Sequence, residues 1–349
     1  METKLYEILT SMHGGSGSEA DVREFMEKNL TGASEILRDG FGGVFGKYPG
    51  SGDVNIMICA HMDEISCMIT EIRNDGFMKI MPVGGINVEV MVSCNVIVHA
   101  RKKGKKKEIR GVISSIPPHI SKDNKLTFDD IVLDIGCDSK EEVEALGITI
   151  GTYVTPVPEF YLTENKEKMV NKAFDDRLGC AVVLELAKEI KDMDHPNNIY
   201  LGGTVEEEVG LRGGQVSSQM IKPDLFITVD VSPTSDYLGK PEMGALGKGF
   251  LIRYFDPRNI MPIKLREYFV SLSEKHDIPY QLFKSGGGTD AGAAQYVGKG
   301  ILATTVGVPG RYIHSPATMV SLKDIESAKR FILELVKDFD RKRLEELHK

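Results

Sequence analysis

The sequence lacks a disulfide framework: its five cysteines, Cys59, Cys67, Cys94, Cys137 and Cys180, are an odd number, and no two have CxxC spacing. Such usage suits reduced thiols in a cytosolic compartment. A surplus of positive charge is also missing. The net charge of −8 argues against a general nucleic-acid binder and favours solubility. No apolar run approaches the roughly 20 residues of a membrane span. Met1 leads directly into ETKLYEILTSM, without the basic region and apolar stretch of a signal peptide. The expectation is a cytoplasmic protein with neither nucleic acid nor membrane among its partners.

What is present is ordinary globular texture, with 41% hydrophobic and 27% charged residues. At 349 residues the chain is too long for one comfortable core, so two domains are expected. The first expected element is a helix after the turn HGGSG, with Ser18 as its cap, Asp21 three residues on, and an apolar stripe of Val22, Phe25, Met26 and Leu30. VNIMICA (54–60) is a nearly continuous apolar run, which reads as a strand buried on both faces. From about Ile69 to Leu162, short β-type runs such as NVIVHA and EIRGVISS alternate with Gly, Pro and charge clusters, and no long helix stands out. The basic run Arg101–Lys107 lies between two of these runs. It reads as a solvated hairpin tip, because no aromatic residues interleave with the charges as a nucleic-acid contact requires.

After Thr163 the α/β texture returns. Leu178, Ala181, Val182, Leu186 and Ile190 mark an amphipathic helix, and apolar strands follow at 199–205, 225–229 and 301–306. A long closing helix carries Ile325, Ala328, Ile332, Leu335, Val336 and Phe339 inward. The expected architecture is α/β, a mainly parallel sheet sandwiched by helices, formed by residues 1–68 and 163–349 and interrupted by a small β-rich domain at 69–162.

Open parallel sheets carry functional residues just beyond the carboxyl ends of their strands. Behind VNIMICA stand His61-Met62-Asp63-Glu64, behind NNIYLGGTV stand Glu206-Glu207-Glu208, and behind LFITV stands Asp230. His314 follows the strand ILATTV and a short loop, and Asp175-Asp176 open the helix at Leu178. One such residue means little, since a lone acid can cap a helix and a lone histidine can sit in a core. Five convergent imidazole and carboxylate candidates form a set suited to paired Zn²⁺ or Co²⁺. Asp175 is the natural bridge, with His61 and Asp230 on one ion and Glu208 and His314 on the other. Adjacent side chains on an extended segment diverge, so one of the glutamates can bind metal while its neighbour serves as general base toward the attacking water. Chemistry alone leaves the register of the triple glutamate open. Asp63 suits the task of orienting the His61 imidazole through its other nitrogen.

The segments AHMDEI (60–65), NKAFDDRLG (171–179), EEVGLRGG (207–214), VDVSP (229–233), SGGGTDAG (285–292) and RYIHSP (311–316) occur in this order and span nearly the whole chain. In this the sequence resembles the glutamyl aminopeptidase family of tetrahedral (TET) co-catalytic di-metal peptidases, some of whose members carry an old endoglucanase label. The resemblance implies a di-zinc exopeptidase-like fold and a metal-dependent aminopeptidase acting on short peptides. It implies Glu207 as general base, Glu208 as ligand, Glu206 outside the metal contacts, and a cis peptide between Asp175 and Asp176. It also implies that the inserted domain makes dimer contacts and that dimers build a homo-oligomer, commonly a dodecamer. Thr289, Asp290, Arg311 and Tyr312 are expected near the substrate on the same ground. Two departures stand out: Ser66 replaces a usual glycine, and Glu206 replaces a usual glutamine and adds negative charge beside the site. The competing readings are a related di-metal deacylase or carboxypeptidase-like hydrolase, a glycosidase, which needs two carboxylates and no metal, and a non-catalytic oligomeric scaffold.

Overall fold

A computed structural model describes residues 3–117 and 125–348. Its larger sheet has 11 strands. At the centre the strand Asn55–His61 pairs parallel with Asn198–Thr204 on one side and Leu225–Pro233 on the other, and Leu225–Pro233 pairs parallel with Leu302–Arg311. The expectation of a mainly parallel sheet needs correction. Val44–Tyr48 joins Asn198–Thr204 antiparallel, and Thr318–Ser321, Lys168–Asn171 and Tyr161–Leu162 extend the other flank antiparallel. The sheet is mixed, with a parallel centre and antiparallel flanks.

The apolar run 54–60 divides its side chains by the two-residue period of a strand. Ile56, Ile58 and Ala60 enter the core beneath the helices Phe174–Ile190 and Leu322–Asp338, while Met57 and Cys59 enter a smaller core beneath Arg212–Ile221 and Asp290–Ala294. Burial on both faces is the physical reason that the run does not alternate. The helix Phe174–Ile190 lies very close to the sheet because Gly179 faces it. A Cβ there would fall 2.5 Å from the carbonyl oxygen of Val229 and 2.7 Å from the Cβ of Ala60. That approach brings the amino end of the helix, with Asp175 and Asp176, onto the carboxyl ends of the central strands.

Two expectations at the amino end differ from the structure. A helix, Thr3–Ser11, precedes the HGGSG turn. The next helix, Ala20–Asn29, has Glu19 at its N-cap without a side-chain cap, and the Ser18 hydroxyl instead lies 3.3 Å from His13 Nε2. The short polar side chain found a partner outside the helix, a competition that Ser enters readily.

Six strands between Ser66 and Pro156 close into a small barrel with its own core, which includes Cys67, Ile69, Ile80, Val96, Val98, Ile113 and Val154. Arg101–Lys107 spans the tip of the hairpin formed by Asn95–Lys102 and Lys105–Ile113, where Lys106 pairs with Asp21. Where it meets the larger sheet, the barrel is bonded to the amino-terminal turn, the Tyr153 hydroxyl donating to the Ser16 carbonyl at 2.5 Å. The same turn bridges through Gly15 to Glu64 in the link between the sheet strand Asn55–His61 and the barrel.

Candidate metal centre

His61 is the last residue of its strand, and its ring is buried. Its Nδ1 lies 3.1 Å from the Asp63 carbonyl oxygen and 3.2 Å from Asp63 Oδ1. Its Nε2 lies 3.0 Å from Asp175 Oδ1. The second oxygen of Asp175 faces His314 Nε2 at 3.2 Å, and that nitrogen also lies 3.4 Å from Glu208 Oε1. Asp175 thus stands between two imidazoles with one oxygen toward each. The Asp175–Asp176 peptide is cis.

Asp63 ties the strand ends together. It accepts from the backbone N–H groups of Glu207 and Glu208 at 3.0 and 3.1 Å and from the Ser16 hydroxyl at 2.7 Å. Burial would raise its carboxyl, but the hydrogen bonds from His61, Ser16 and the Glu207 backbone hold it below the usual carboxylate range. Glu207 and Glu208 are pinned in register by this one side chain, and both line a cavity of about 390 Å³ together with Asp175, Asp230 and His314.

Two placements sharpen the strand-end reading. Asp230 does not follow its strand but lies inside it, paired across to Gly307, because the strand runs on to Pro233. The strand before His314 likewise continues to Arg311. Asp176, which the sequence set beside Asp175 at the start of the helix without a role in the metal pair, groups with His61 and Asp230. Its oxygens accept from the Gly179 and His61 backbone N–H groups at 3.1 and 3.3 Å. Because Asp175 and Asp176 have non-helical φ/ψ, the regular helix begins after them, and Asp176 both caps it and fixes the strand end.

The donor set fits divalent cations. Three groups meet around shared points, His61 with Asp176 and Asp230, Asp175 with Glu208 and His314, and His61 with Glu207 and Glu208. The donor separations of 3.0, 3.2 and 3.4 Å match the roughly 3.4 Å between ligands bonded to Zn²⁺ at about 2.1 Å in tetrahedral geometry. Electrostatics agrees. Burial, then the crowding of like charges, pushes Asp230 up to about 7 and raises Asp176, Glu207 and Glu208. Burial works against His314 as a cation, yet Asp175 and Glu208 raise it to about 12. So many buried carboxyls in one place call for positive charge beyond two imidazoles.

The four residues expected at the substrate are not among the side chains that line the cavity. Thr289 and Asp290 are buried behind its wall: Thr289 bonds to the Thr305 hydroxyl at 2.8 Å, and Asp290 accepts from the Thr204 hydroxyl at 2.5 Å and from Gly214 N–H at 3.3 Å. Arg311 grips Asp236 through two bonds of 2.9 and 2.7 Å, and the Tyr312 ring packs edge-on against Tyr237. A glycine-rich turn carries no signal of which side faces a cavity, so the sequence could not separate the lumen from its backing. Of the segment 285–292, expected at the substrate by resemblance, Ser285, Gly287 and Gly288 do line the cavity, and the lining residues that the sequence reading missed include Arg253 and Arg258. Arg253 had left a signal, a charge within the apolar strand Phe250–Phe255; Arg258, in an irregular loop, had left none. The extra charge of Glu206 is matched by Arg212 at 2.7 Å. The Ser66 hydroxyl is buried without a hydrogen-bond partner.

Comparison with known proteins bears on this centre. Residues 42–331 match the family model for M42 glutamyl aminopeptidase. A glutamyl aminopeptidase of Lactococcus lactis is 33% identical over 347 residues, covering 97% of each chain. The TET aminopeptidase of a marine-sediment Thaumarchaeota archaeon superposes with a TM-score of 0.94 at 32% identity, covering 99% of each chain. The TET1 peptidase of Pyrococcus horikoshii, described as assembling into a tetrahedron or a large octahedral shell, gives a TM-score of 0.86 at 29% identity, covering 96% of this chain and 99% of its own.

Proposed function

The chain belongs to the M42 glutamyl aminopeptidase family, and from that premise we propose that this peptidase removes amino-terminal residues from short peptides at a pair of divalent ions. The observation that carries the reading is Asp175, whose two oxygens face one imidazole each, at 3.0 and 3.2 Å. His61, Asp175, Glu208, Asp230 and His314 would hold two Zn²⁺ or Co²⁺ ions, with Asp175 shared. When bound, the ions polarise the scissile carbonyl and lower the pKa of the attacking water.

The chain's own residues supply the rest. Glu207, lining the cavity beside His61 and Glu208, takes the proton of the attacking water and passes it to the leaving amine. Asp63 holds the His61 ring through Nδ1, which leaves Nε2 for the cation. The narrow cavity, about 390 Å³, suits the end of a peptide better than a folded chain. Arg253 is neutralised by Asp256 at 3.2 Å, whereas Arg258 has no ion-pair partner among the described residues. Its free guanidinium favours an acidic side chain on the residue removed. The inserted barrel serves oligomer contacts, in keeping with the shells of the Pyrococcus horikoshii relative. A cytoplasmic location accords with the reduced cysteines and with the absence of any helix, among the described residues, long and apolar enough to cross a membrane.

The test is a panel of aminoacyl-p-nitroanilides with acidic, apolar and basic residues, assayed with Zn²⁺, with Co²⁺ and with chelator. Turnover that chelator abolishes and either metal restores is the expected result, with the acidic substrates preferred and Arg258→Ala reducing that preference. Hydrolysis of a cellulosic substrate that survives chelation, with no peptide hydrolysis, would sink the reading.

A further inference from the structure

The turn that follows the barrel strand Met78–Val83 reaches across to the candidate metal centre. Gly84 has φ +90, and a Cβ on it would lie 3.0 Å from Ile65 Cγ2 and 3.2 Å from the Cβ of Glu208. The carbonyl of Gly85 accepts from His314 Nδ1 at 2.7 Å, and a Cβ on Gly85 would lie 3.3 Å from that same nitrogen. An imidazole that donates through Nδ1 keeps its lone pair on Nε2. The Nε2 of His314 is the atom that faces Asp175 and Glu208. His61 is held differently, by Asp63 of its own loop, and Asp63 is anchored in turn by Ser16, Glu207 and Glu208.

We infer that the Gly84–Gly85 turn of the barrel is a positioning element for the metal site built on Glu208 and His314, and that the site built on His61 does not depend on it. The inference rests on the proposed metal pair. The Gly85 carbonyl selects the tautomer and aims the ring. The missing side chains of both glycines let the barrel approach the ligands. Gly85 is not among the glycines at positive φ, so its backbone accepts a side chain, and a substitution there acts on the His314 ring rather than on the turn. The barrel is thereby a working part of the metal centre as well as a separate core.

The experiment measures Co²⁺ binding to the full chain by calorimetry and by visible absorption, for wild type, Gly85→Ala and Gly85→Val. Wild type should bind two ions. Gly85→Val should weaken one of them by roughly 10–100-fold, the usual cost of losing a group that orients a ligand, and leave the other unchanged. Gly85→Ala should fall between, and it carries the test alone if the valine variant does not fold. In a His314→Ala background, Gly85→Val should change the remaining ion's affinity no further. Equal weakening of both ions, unchanged affinities, or further loss in the His314→Ala background would each overturn the inference. A wild type that binds no metal would instead remove the metal pair, and the positioning role with it.

Discussion

Glu207 and Glu208 are neighbours in the chain, yet their surroundings set them different tasks. Asp63 accepts from both backbone N–H groups, which fixes the segment, and the chain turns at Glu208 instead of running on extended, the Gly210 N–H donating to the Glu207 carbonyl at 3.0 Å. Glu208 meets His314 at 3.4 Å and also groups with His61, whereas Glu207 groups with His61 alone of the two imidazoles. Glu207→Gln keeps the size of the side chain and removes the basic oxygen. It should retain both ions and lower kcat by about 10²–10⁴-fold, the usual worth of a general base. Metal content by mass spectrometry beside steady-state kinetics checks this, and loss of one ion would make Glu207 a ligand instead.

Among the elements, the long helix Leu322–Asp338 shows how periodicity becomes stability. Ile325, Ala328, Phe331, Ile332, Leu335 and Val336 are all buried against the sheet and its neighbouring helices. Phe331 stacks on Phe250 at 4.6 Å and meets Phe269 at 4.7 Å, so its removal would leave a cavity with aromatic walls. Phe331→Ala should cost about 3–5 kcal/mol, read from the denaturation midpoint of the metal-free chain. A shift too small to resolve would mean that the neighbouring rings close over the gap.

For the whole molecule, the sensitive place is the joint between the barrel and the larger domain. There His13 and His99 stack with ring centroids 3.7 Å apart. Burial first, then His99, Lys172, Arg177 and Lys106, lowers His13 to about 2. Burial first, then Lys172, lowers His99 to about 4 against the pull of Glu64 and Asp21. Both imidazoles are neutral when folded and gain protons more readily when unfolded, near the ordinary histidine pKa of about 6.5. Their contribution is therefore fully present above about 6.5 and is lost as pH falls from there toward 4, at up to about 1.4 kcal/mol per pH unit for each ring. Thermal unfolding of wild type should fall faster over that window than that of His99→Gln. Parallel profiles would show that the stack is not the acid-labile element.

The sequence by itself determined the parallel centre of the sheet, because a strand covered on both faces must be apolar along nearly its whole length, and 54–60 is, apart from Asn55 at its start. It also determined the helix faces, the basic hairpin tip and the gathering of acids and histidines behind the strands, since apolar periods and strand ends are local. Tertiary structure decided the rest. The antiparallel flanks depend on which strands meet, and nothing in a short strand names its partner. Asp230 lies within its strand because pairing with 302–311 carries that strand past the aspartate. Thr289 and Asp290 fell behind the cavity wall and Arg258 came to its lining because the exposed side of an irregular loop is set by packing. The bond from His314 to Gly85 joins residues 229 positions apart, a contact made by the packing of the barrel against the larger sheet and written in neither segment.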